Sequence, residues 1–219
     1  MSSAPVLTVM ARWPAPGRCK RRLSRDLNQH LCLSAASERA ARIQRRLCSH
    51  TLAVCQELHS AGLIQLQLAV SGLGPHHAQR WGQRLGAKIT VLQGEGSLGC
   101  RLRRQTLRTH RDQQGVAQLF IGTDLPGLNR HALIQALAVL QRNDVVLGPA
   151  CDGGYWLIGL HPTLLHRPNL LPFSGIPWGE ATVLARTLQH CNNAELRTGL
   201  LNEQQDIDHL RDLQPWLGL

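Results

Sequence analysis

The chain has 219 residues, of which 43% are hydrophobic and 17% are charged, so it can bury a substantial core. This composition excludes an extensively disordered protein, and the lack of any run of about 18 apolar residues argues against a membrane-spanning helix. The formal net charge is +10, and 22 of the 24 basic residues are arginines, a bias that reflects codon composition at least as much as function. Basic residues still crowd the segment from Arg12 to Arg25, which predicts an anion-binding face.

The seven cysteines are scattered along the chain and form no CxxC pair. We therefore expect reduced thiols in a cytoplasmic protein, not a disulfide framework or a zinc site, and the adjacent His76 and His77 are only a weak metal signal. The first residues lack a basic stretch ahead of their short apolar run, so they predict a strand and not a secretory signal.

Hydrophobic periodicity predicts short strands that alternate with longer helices. In chain order, the predicted elements are a strand at Val6–Met10, a helix at Leu31–Leu58, strands at Gln65–Val70 and Lys88–Leu92, a helix at Leu98–His110, a strand ending in Leu119–Ile121, a helix capped by Asn129 and running to Leu140, strands at Val145–Leu147 and Tyr155–Leu160, a helix at Thr182–Leu188, a strand at Leu196–Leu201 and a helix at Ile207–Leu213.

This alternation indicates crossover connections and a mostly parallel sheet in an α/β protein. No linker or internal repeat interrupts the chain, so residues 1–219 are expected to form one domain. The least regular stretch, His161–Pro177, contains four prolines. We interpret it as a flexible flap over a site and not as a domain boundary.

Ligands of open α/β sheets bind beyond the carboxyl ends of the strands, and four loops with unusual residues follow predicted strands. The first loop, Ala11–Lys20, contains Gly17, which permits close backbone approach. Its basic side chains Arg12, Arg18 and Lys20 can reach phosphate oxygens. The GxxxxGK[ST] spacing of a Walker loop is absent. We favour phosphate binding over the alternative of an ordinary solvated loop.

The second loop, Gly122–Gly127, places Asp124 directly after an apolar strand. A carboxylate in that place suits Mg²⁺ or Mn²⁺, which in turn neutralises a diphosphate. The alternative is that Asp124 forms a turn or caps the helix predicted after Asn129.

The third loop, Cys151–Trp156, carries Asp152, which can bind hydroxyl groups or a metal. Gly153 and Gly154 allow the backbone to pack closely on a ligand, and the face of Tyr155 can pack against a sugar or base ring. The alternatives are a plain β-turn at the two glycines and a core position for the aromatic side chain. We favour the site slightly over the turn.

The fourth loop lies near the C-terminus, at Asp206–His209. Either Asp206 or Asp208 can supply a second metal ligand, and Asp208 is preferred. The alternative is that these carboxylates cap the helix predicted at Ile207–Leu213.

Six segments match a motif pattern in the correct order. They are Pro16–Leu23 (PGxxKTRL), Gly96–Leu102 (GDLGxRM), Gly122–Pro126 (GSDxP), Pro149–Leu160 (PxxDGGYxLIGL), Ile176–Trp178 (a Pro/Ser-Trp segment) and Asp206–Asp208 (the first three positions of DIDT). Across nearly the whole chain, the pattern resembles a family of bacterial GT-A-like proteins described as glycosyltransferases or selenodomain-associated transferases. Asp152–Leu160 is its most specific block.

This resemblance implies the nucleotide-diphosphosugar transferase fold, a Rossmann-like three-layer sandwich with a mostly parallel, mixed central sheet. It also implies a divalent cation, Mg²⁺ or Mn²⁺, a nucleotide-linked sugar donor and a small-molecule acceptor. Two positions depart from the family pattern: Arg21 stands where threonine is usual, and Cys100 replaces an acidic residue. Both make the region more basic or less acidic, which would alter donor preference or reduce activity.

The loops and the resemblance together define a predicted site. The nucleotide is assigned to Ala11, Arg12, Gly17, Arg18, Lys20, Thr123 and Asp124. The metal is assigned to Asp124 and Asp208, the transferred sugar or acceptor to Gly153, Gly154, Tyr155 and Trp178, and catalysis to Lys20 and Asp152. In the resulting hypothesis, metal and cations stabilise the leaving diphosphate while Asp152 orients or deprotonates the acceptor hydroxyl.

Three other functions compete with glycosyl transfer. The nearest is nucleotidyl transfer with release of pyrophosphate, because the phospholactate guanylyltransferases share the first motif and an aspartate-proline loop. A basic nucleic-acid-binding module is disfavoured by the 4% aromatic content and by the absence of known binding motifs. A catalytically inactive scaffold stays open because of Arg21 and Cys100.

Overall fold

A computed structural model describes residues 4–31 and 34–216. The strands are β1 (Val6–Arg12), β2 (Gln65–Ser71), β3 (Ile89–Leu92), β4 (Gln118–Ile121), β5 (Val145–Pro149), β6 (Tyr155–Leu160) and β7 (Thr198–Leu200). The helices are α1 (Arg21–Leu31), α2 (Ala36–Ser60), α3 (Pro75–Arg84), α4 (Leu98–Asp112), α5 (Arg130–Leu140), α6 (Pro162–Leu165) and α7 (Val183–Asn193), with 3₁₀ segments at Pro168–Leu170 and Leu210–Trp216.

The seven strands form one sheet in the order β3-β2-β1-β4-β6-β5-β7. β6 runs antiparallel to both of its neighbours, and every other pairing within the sheet is parallel. The sheet is therefore mixed but mostly parallel, as predicted. Since β1, β4, β5 and β7 all point the same way, the loops that follow them gather at one edge of the sheet.

Apolar residues cover both faces of the sheet. β1 and β4 are almost continuously buried, which is typical of central strands with helices on either side. One core cluster packs the sheet against α2, α3 and α5. A second packs its other face against α4, α6 and α7, which gives three layers.

Three helices, α1, α3 and the short α6, were not predicted from the sequence, and one predicted helix began too early. α1 contributes only two buried leucines, Leu23 and Leu27, to a small third core cluster. Its other residues are mostly polar or charged, so its sequence shows no clear apolar periodicity. α3 buries only Ala78, Trp81 and Gly82. The helix predicted at Leu31–Leu58 is α2, which starts at Ala36, and Cys32 and Leu33 lie outside the described residues.

The proline-rich stretch is packed, and the prediction of a flexible flap is not supported. It contains α6 and a 3₁₀ turn, and it buries Leu164, Leu165, Leu171 and Phe173 in the second cluster. The stretch therefore packs on the sheet and leads along the chain to Trp178. Within the described ranges, no helix is long and apolar enough to cross a membrane.

Candidate functional site

Lys20, at the end of the first loop, lies between two carboxylates that come from distant parts of the chain. Its Nζ is 2.7 Å from Asp124 Oδ1 and 3.1 Å from Asp208 Oδ1. The lysine side chain is only 3% exposed, whereas those of Asp124 and Asp208 are 45% and 34% exposed. Arg22 Nη1 lies 3.3 Å from Asp208 Oδ2 and shares this carboxylate with the lysine.

The carboxylates keep the buried ammonium charged. Burial alone would lower the pKa of Lys20, but the charges of Asp124 and Asp208 and their hydrogen bonds outweigh burial and raise the pKa above its usual value. The backbone of Lys20 is held at φ +45°, in the left-handed region that residues with a side chain seldom adopt. A turn of unusual geometry thus fixes a permanent positive charge at the centre of the site.

Two further hydrogen bonds hold the Asp124 loop in place. The Thr123 hydroxyl oxygen accepts from Gln44 Nε2 of α2 at 2.9 Å, and both side chains are buried. The Ile207 backbone N–H donates to the Asp124 carbonyl oxygen at 3.0 Å, which joins the second and fourth loops. Asn129 is the residue that caps α5, by accepting from Ala132 N, so the Asp124 carboxylate is not the helix cap.

The third loop is a tight turn in which Asp152 is oriented by the backbone. Gly154 N donates to Asp152 Oδ1 at 2.8 Å, and Gly153 N donates to the Ala150 carbonyl at 3.0 Å. Gly153 has φ +86°, and an added Cβ would strike the Ala181 carbonyl oxygen. A β-turn spans Ala150–Gly153, and Gly153 lies against the Ala181 backbone, whereas Gly154 follows the turn and lines a pocket described below.

Asp206 is a half-buried carboxylate beside the other acids. Burial, followed by the charges of Asp152 and Asp208, raises the pKa of Asp206 to about 6. The alternative that the fourth loop caps the last helix does not hold for either predicted residue. The backbone N–H groups here are capped by two other carboxylates. Asp26 Oδ2 accepts from Leu210 N, and Asp212 Oδ2 accepts from the backbone N–H groups of Asp208 and His209.

Two pockets meet at Asp124, Asp208 and Met10. The first, here called the cationic pocket, has a volume of about 330 Å³. Its lining includes the basic residues Arg12, Arg18, Lys20, Arg21 and Arg22, together with Thr123.

The second, here called the acidic pocket, has a volume of about 360 Å³ and is more enclosed. Its lining includes Asp152, Gly154, Tyr155 and Trp178 from the predicted site.

Aromatic side chains form one wall of the acidic pocket. The rings of Tyr155 and Trp178 meet edge to face with their centroids 6.0 Å apart. α4 approaches this wall so closely that a Cβ on Gly99 would strike the Phe173 carbonyl oxygen and the Trp178 indole. Burial raises the pKa of the Tyr155 phenol well above its usual value, so the phenol stays protonated.

The donor set at the border of the pockets suits a hard divalent cation. The described residues contain no cluster of three or more His, Cys, Asp or Glu side chains placed to hold a metal. Asp124 and Asp208 nevertheless converge on a single positive group, and Mg²⁺ commonly takes one or two protein carboxylates plus substrate phosphates and water. The two residues fit an ion that arrives with a phosphorylated ligand.

Some predicted residues do not line either pocket. Ala11 is fully buried in β1, and its carbonyl accepts from Gln93 Nε2 at 3.0 Å. Gly17 borders a wide surface depression of about 690 Å³ between α1 and α2, which contains none of the predicted acidic residues. Ala11, Gly17 and Gly153 therefore belong to the loops around the site but lie outside the lining of both pockets.

Three residues at the site escaped the sequence prediction. Arg22 was noticed only as part of a basic segment, and Glu180 follows the Trp178 motif without any distinctive pattern. Gln44 reaches Thr123 across 79 positions. The sequence contains no local signal for such a contact.

Comparison with known proteins defines the family. Residues 51–180, more than half of the chain, match the model of a family described as uncharacterized proteins conserved in bacteria, DUF2064. A search of curated proteins gives no match. A solved structure from Desulfovibrio desulfuricans G20, described as a putative nucleotide-diphospho-sugar transferase, is 27% identical with a TM-score of 0.82, over 97% of this chain and 85% of that one.

More distant structures share the fold. A cytidylyltransferase from Leptospira borgpetersenii is 10% identical with a TM-score of 0.58, over 99% of this chain and 85% of that one. Glucosyl-3-phosphoglycerate synthase from Mycobacterium tuberculosis, in complex with Mn²⁺, UDP and glucosyl-3-phosphoglycerate, is 12% identical with a TM-score of 0.53, over 92% of this chain and 71% of that one. The predicted fold class and the resemblance to GT-A-like transferases are thereby confirmed.

Proposed function

The chain belongs to the bacterial DUF2064 family, and from this membership and its fold we propose that it is a metal-dependent glycosyltransferase. It moves a sugar from a nucleoside-diphosphate donor to a small-molecule acceptor. We also propose that the chain acts as one domain, because both pockets draw on loops from its beginning and its end. One observation carries the proposal: Lys20, Asp124 and Asp208 meet where a cationic pocket adjoins an acidic one.

The cationic pocket receives the nucleotide diphosphate. Arg12 and Arg18 supply donors for the phosphate oxygens, and the charged Lys20 stabilises negative charge that develops on the leaving group. Asp124 and Asp208 would hold a divalent ion, which would neutralise further charge on the diphosphate. Glucosyl-3-phosphoglycerate synthase, a protein of the same fold, binds Mn²⁺ together with UDP, which supports the combination of a divalent ion with a nucleoside diphosphate.

The acidic pocket receives the sugar and the acceptor hydroxyl. Asp152 lines it, and the hydrogen bond from Gly154 N fixes the orientation of its carboxylate. The second carboxylate oxygen of Asp152 accepts the proton of the acceptor hydroxyl. The hydroxyl oxygen forms its bond to the sugar as the bond between the sugar and the leaving diphosphate breaks. Trp178 offers an aromatic edge to the sugar ring.

Nucleotidyl transfer is the second candidate, since a cytidylyltransferase shares the fold. It differs in its products: nucleotidyl transfer releases pyrophosphate, whereas glycosyl transfer releases a nucleoside diphosphate. Chromatography of the reaction products separates these two outcomes, and release of pyrophosphate from a nucleoside triphosphate would replace our proposal with the second candidate.

Binding of metal and nucleotide tests the proposal directly. We expect calorimetry to detect nucleoside diphosphates in the presence of Mn²⁺ with wild-type protein, and to detect a strong loss of affinity with Asp124→Ala. Asp112→Ala is the matched control, because Asp112 is an exposed partner of surface arginines at the end of α4. If Asp124→Ala binds as tightly as the control, the assignment of Asp124 is wrong.

A further inference from the structure

Charge is divided sharply between the two pockets. The lining of the acidic pocket contains five carboxylates. Asp124 and Asp208 pair with Lys20 and are shared with the cationic pocket, whereas Asp152, Glu180 and Asp206 line the acidic pocket alone. Within the described part of the chain, that lining includes no arginine, lysine or histidine. The whole chain has 24 basic residues and only 14 acidic ones, so this concentration of acid runs against the composition of the protein.

The remaining wall of the acidic pocket is apolar. Phe120, Leu102 and Val183 line it, next to the Trp178 and Tyr155 pair. Its volume of about 360 Å³ lies in the range of small-molecule sites. The cavity is therefore a site in its own right, and its surface combines acceptors of hydrogen bonds with faces that pack against C–H groups.

Such a surface discriminates by charge. Ionised carboxylates only accept hydrogen bonds, so they pair with hydroxyl groups and leave a phosphate or carboxylate on the ligand without a donor. An anionic group that entered this cavity would lose its hydration water and would then be repelled by the carboxylates. We expect this repulsion to lower the affinity of an anionic ligand several-fold or more relative to a neutral one. Phosphate groups find cations only across the border, in the cationic pocket.

We propose that the acidic pocket takes an uncharged, hydroxyl-rich sugar or polyol and rejects phosphorylated or carboxylated molecules. This inference rests on the proposed function and names the chemical class of the sugar that the acidic pocket takes. It assigns Glu180, which the sequence prediction omitted, as a residue that sets specificity. It also disfavours a sugar phosphate as the acceptor of a nucleotidyl group.

A pair of donors that differ by one carboxylate provides the test. UDP, GDP, ADP and CDP are first titrated with Mn²⁺, and the base that binds selects the pair, for example UDP-glucose and UDP-glucuronate. We expect the neutral sugar nucleotide to bind at least about tenfold more tightly than its uronic acid form. Equal affinity of the two would overturn the inference while leaving the proposed function intact. If none of the four diphosphates binds, the proposed function fails, and the inference fails with it.

Glu180→Gln tests the origin of the discrimination. Glu180 is exposed at the rim and makes no ion pair among the described residues, so its replacement preserves the fold. We expect the preference for the neutral donor to fall to about a third of its wild-type value, mainly through tighter binding of the uronic acid form. Glu57→Gln, an identical change on α2 away from both pockets, is expected to keep the wild-type ratio. An unchanged ratio in Glu180→Gln would remove Glu180 from the assignment.

Discussion

Replacement of Lys20 with methionine removes the ammonium between Asp124 and Asp208 and keeps most of the side-chain stem. Loss of one partner from a fully buried ion pair costs about 3–5 kcal/mol. Here the carboxylates are 45% and 34% exposed and regain water, and Arg22 still neutralises Asp208. After this discount we expect Lys20→Met to lower the free energy of unfolding by about 1–2 kcal/mol.

The same change should strengthen metal binding while it weakens nucleotide binding. The ammonium occupies the position where the two carboxylates converge, so it competes with a divalent cation for them. Without nucleotide, Mn²⁺ should raise the melting temperature of Lys20→Met more than that of the wild type, because a ligand stabilises the state it binds. For a chain of this length, the loss of stability without metal corresponds to a fall in melting temperature of about 2–8 °C.

Differential scanning calorimetry with and without Mn²⁺ measures both effects. Lys88→Met is the control, because Lys88 is the only other lysine and is exposed. Equal responses of the two variants to Mn²⁺, with no loss of stability in Lys20→Met, would refute the placement of Lys20 in the cation position.

Three further predictions concern the supports of the site. Burial and nearby carboxylates raise the pKa of Asp206 to about 6, so the stability it contributes is present in acid and lost as pH rises through about 6. In metal-free buffer, Asp206→Asn should therefore stabilise the fold by about 1 kcal/mol at pH 7.5, after discount for its exposure, and have no effect at pH 4. Thermal melting curves of the variant and the wild type at the two pH values check this. An equal shift of the melting temperature at pH 7.5 and at pH 4 would contradict it. Gly153→Ala should destabilise the fold by more than about 1 kcal/mol in urea unfolding, because it adds a clash to a strained φ, whereas Gly175→Ala shares the positive φ without a nearby atom and should cost less. Gln44→Ala should cost about 1–3 kcal/mol by leaving the buried Thr123 hydroxyl without its donor, and a cost no greater than that of an exposed substitution would argue against this hydrogen bond.

The meeting of the loops could be predicted from the sequence because it depends on a general property of parallel sheets. Asp124 follows β4 and the basic loop follows β1, and these two strands pair in parallel, so both loops emerge at the same edge. Asp208 was harder to place, since its position depends on the packing of an irregular segment. The motif DID, and not any periodicity, drew attention to it.

Other features could not be predicted because they depend on tertiary packing. The contact of Gln44 with Thr123 requires α2, which packs on β1 and β2, to reach the loop after β4, and no spacing in the sequence records that arrangement. α1 was missed because its buried face consists of two leucines among charged residues. The close approach of Gly153 to the Ala181 backbone was not predictable either, since a glycine pattern does not reveal what lies against the backbone. Gly154, the other glycine of the pair, lines the acidic pocket.

The common wall of the two pockets has a thermodynamic consequence. Asp124 and Asp208 belong to both cavities, so any cation or nucleotide that binds in one changes the electric field experienced by a molecule in the other. Such coupling is reciprocal: if occupancy of the cationic pocket favours the sugar, the sugar favours occupancy of the cationic pocket by the same factor. The occupants of the two pockets are therefore linked through a pair of shared carboxylates, without any need for movement of the surrounding fold.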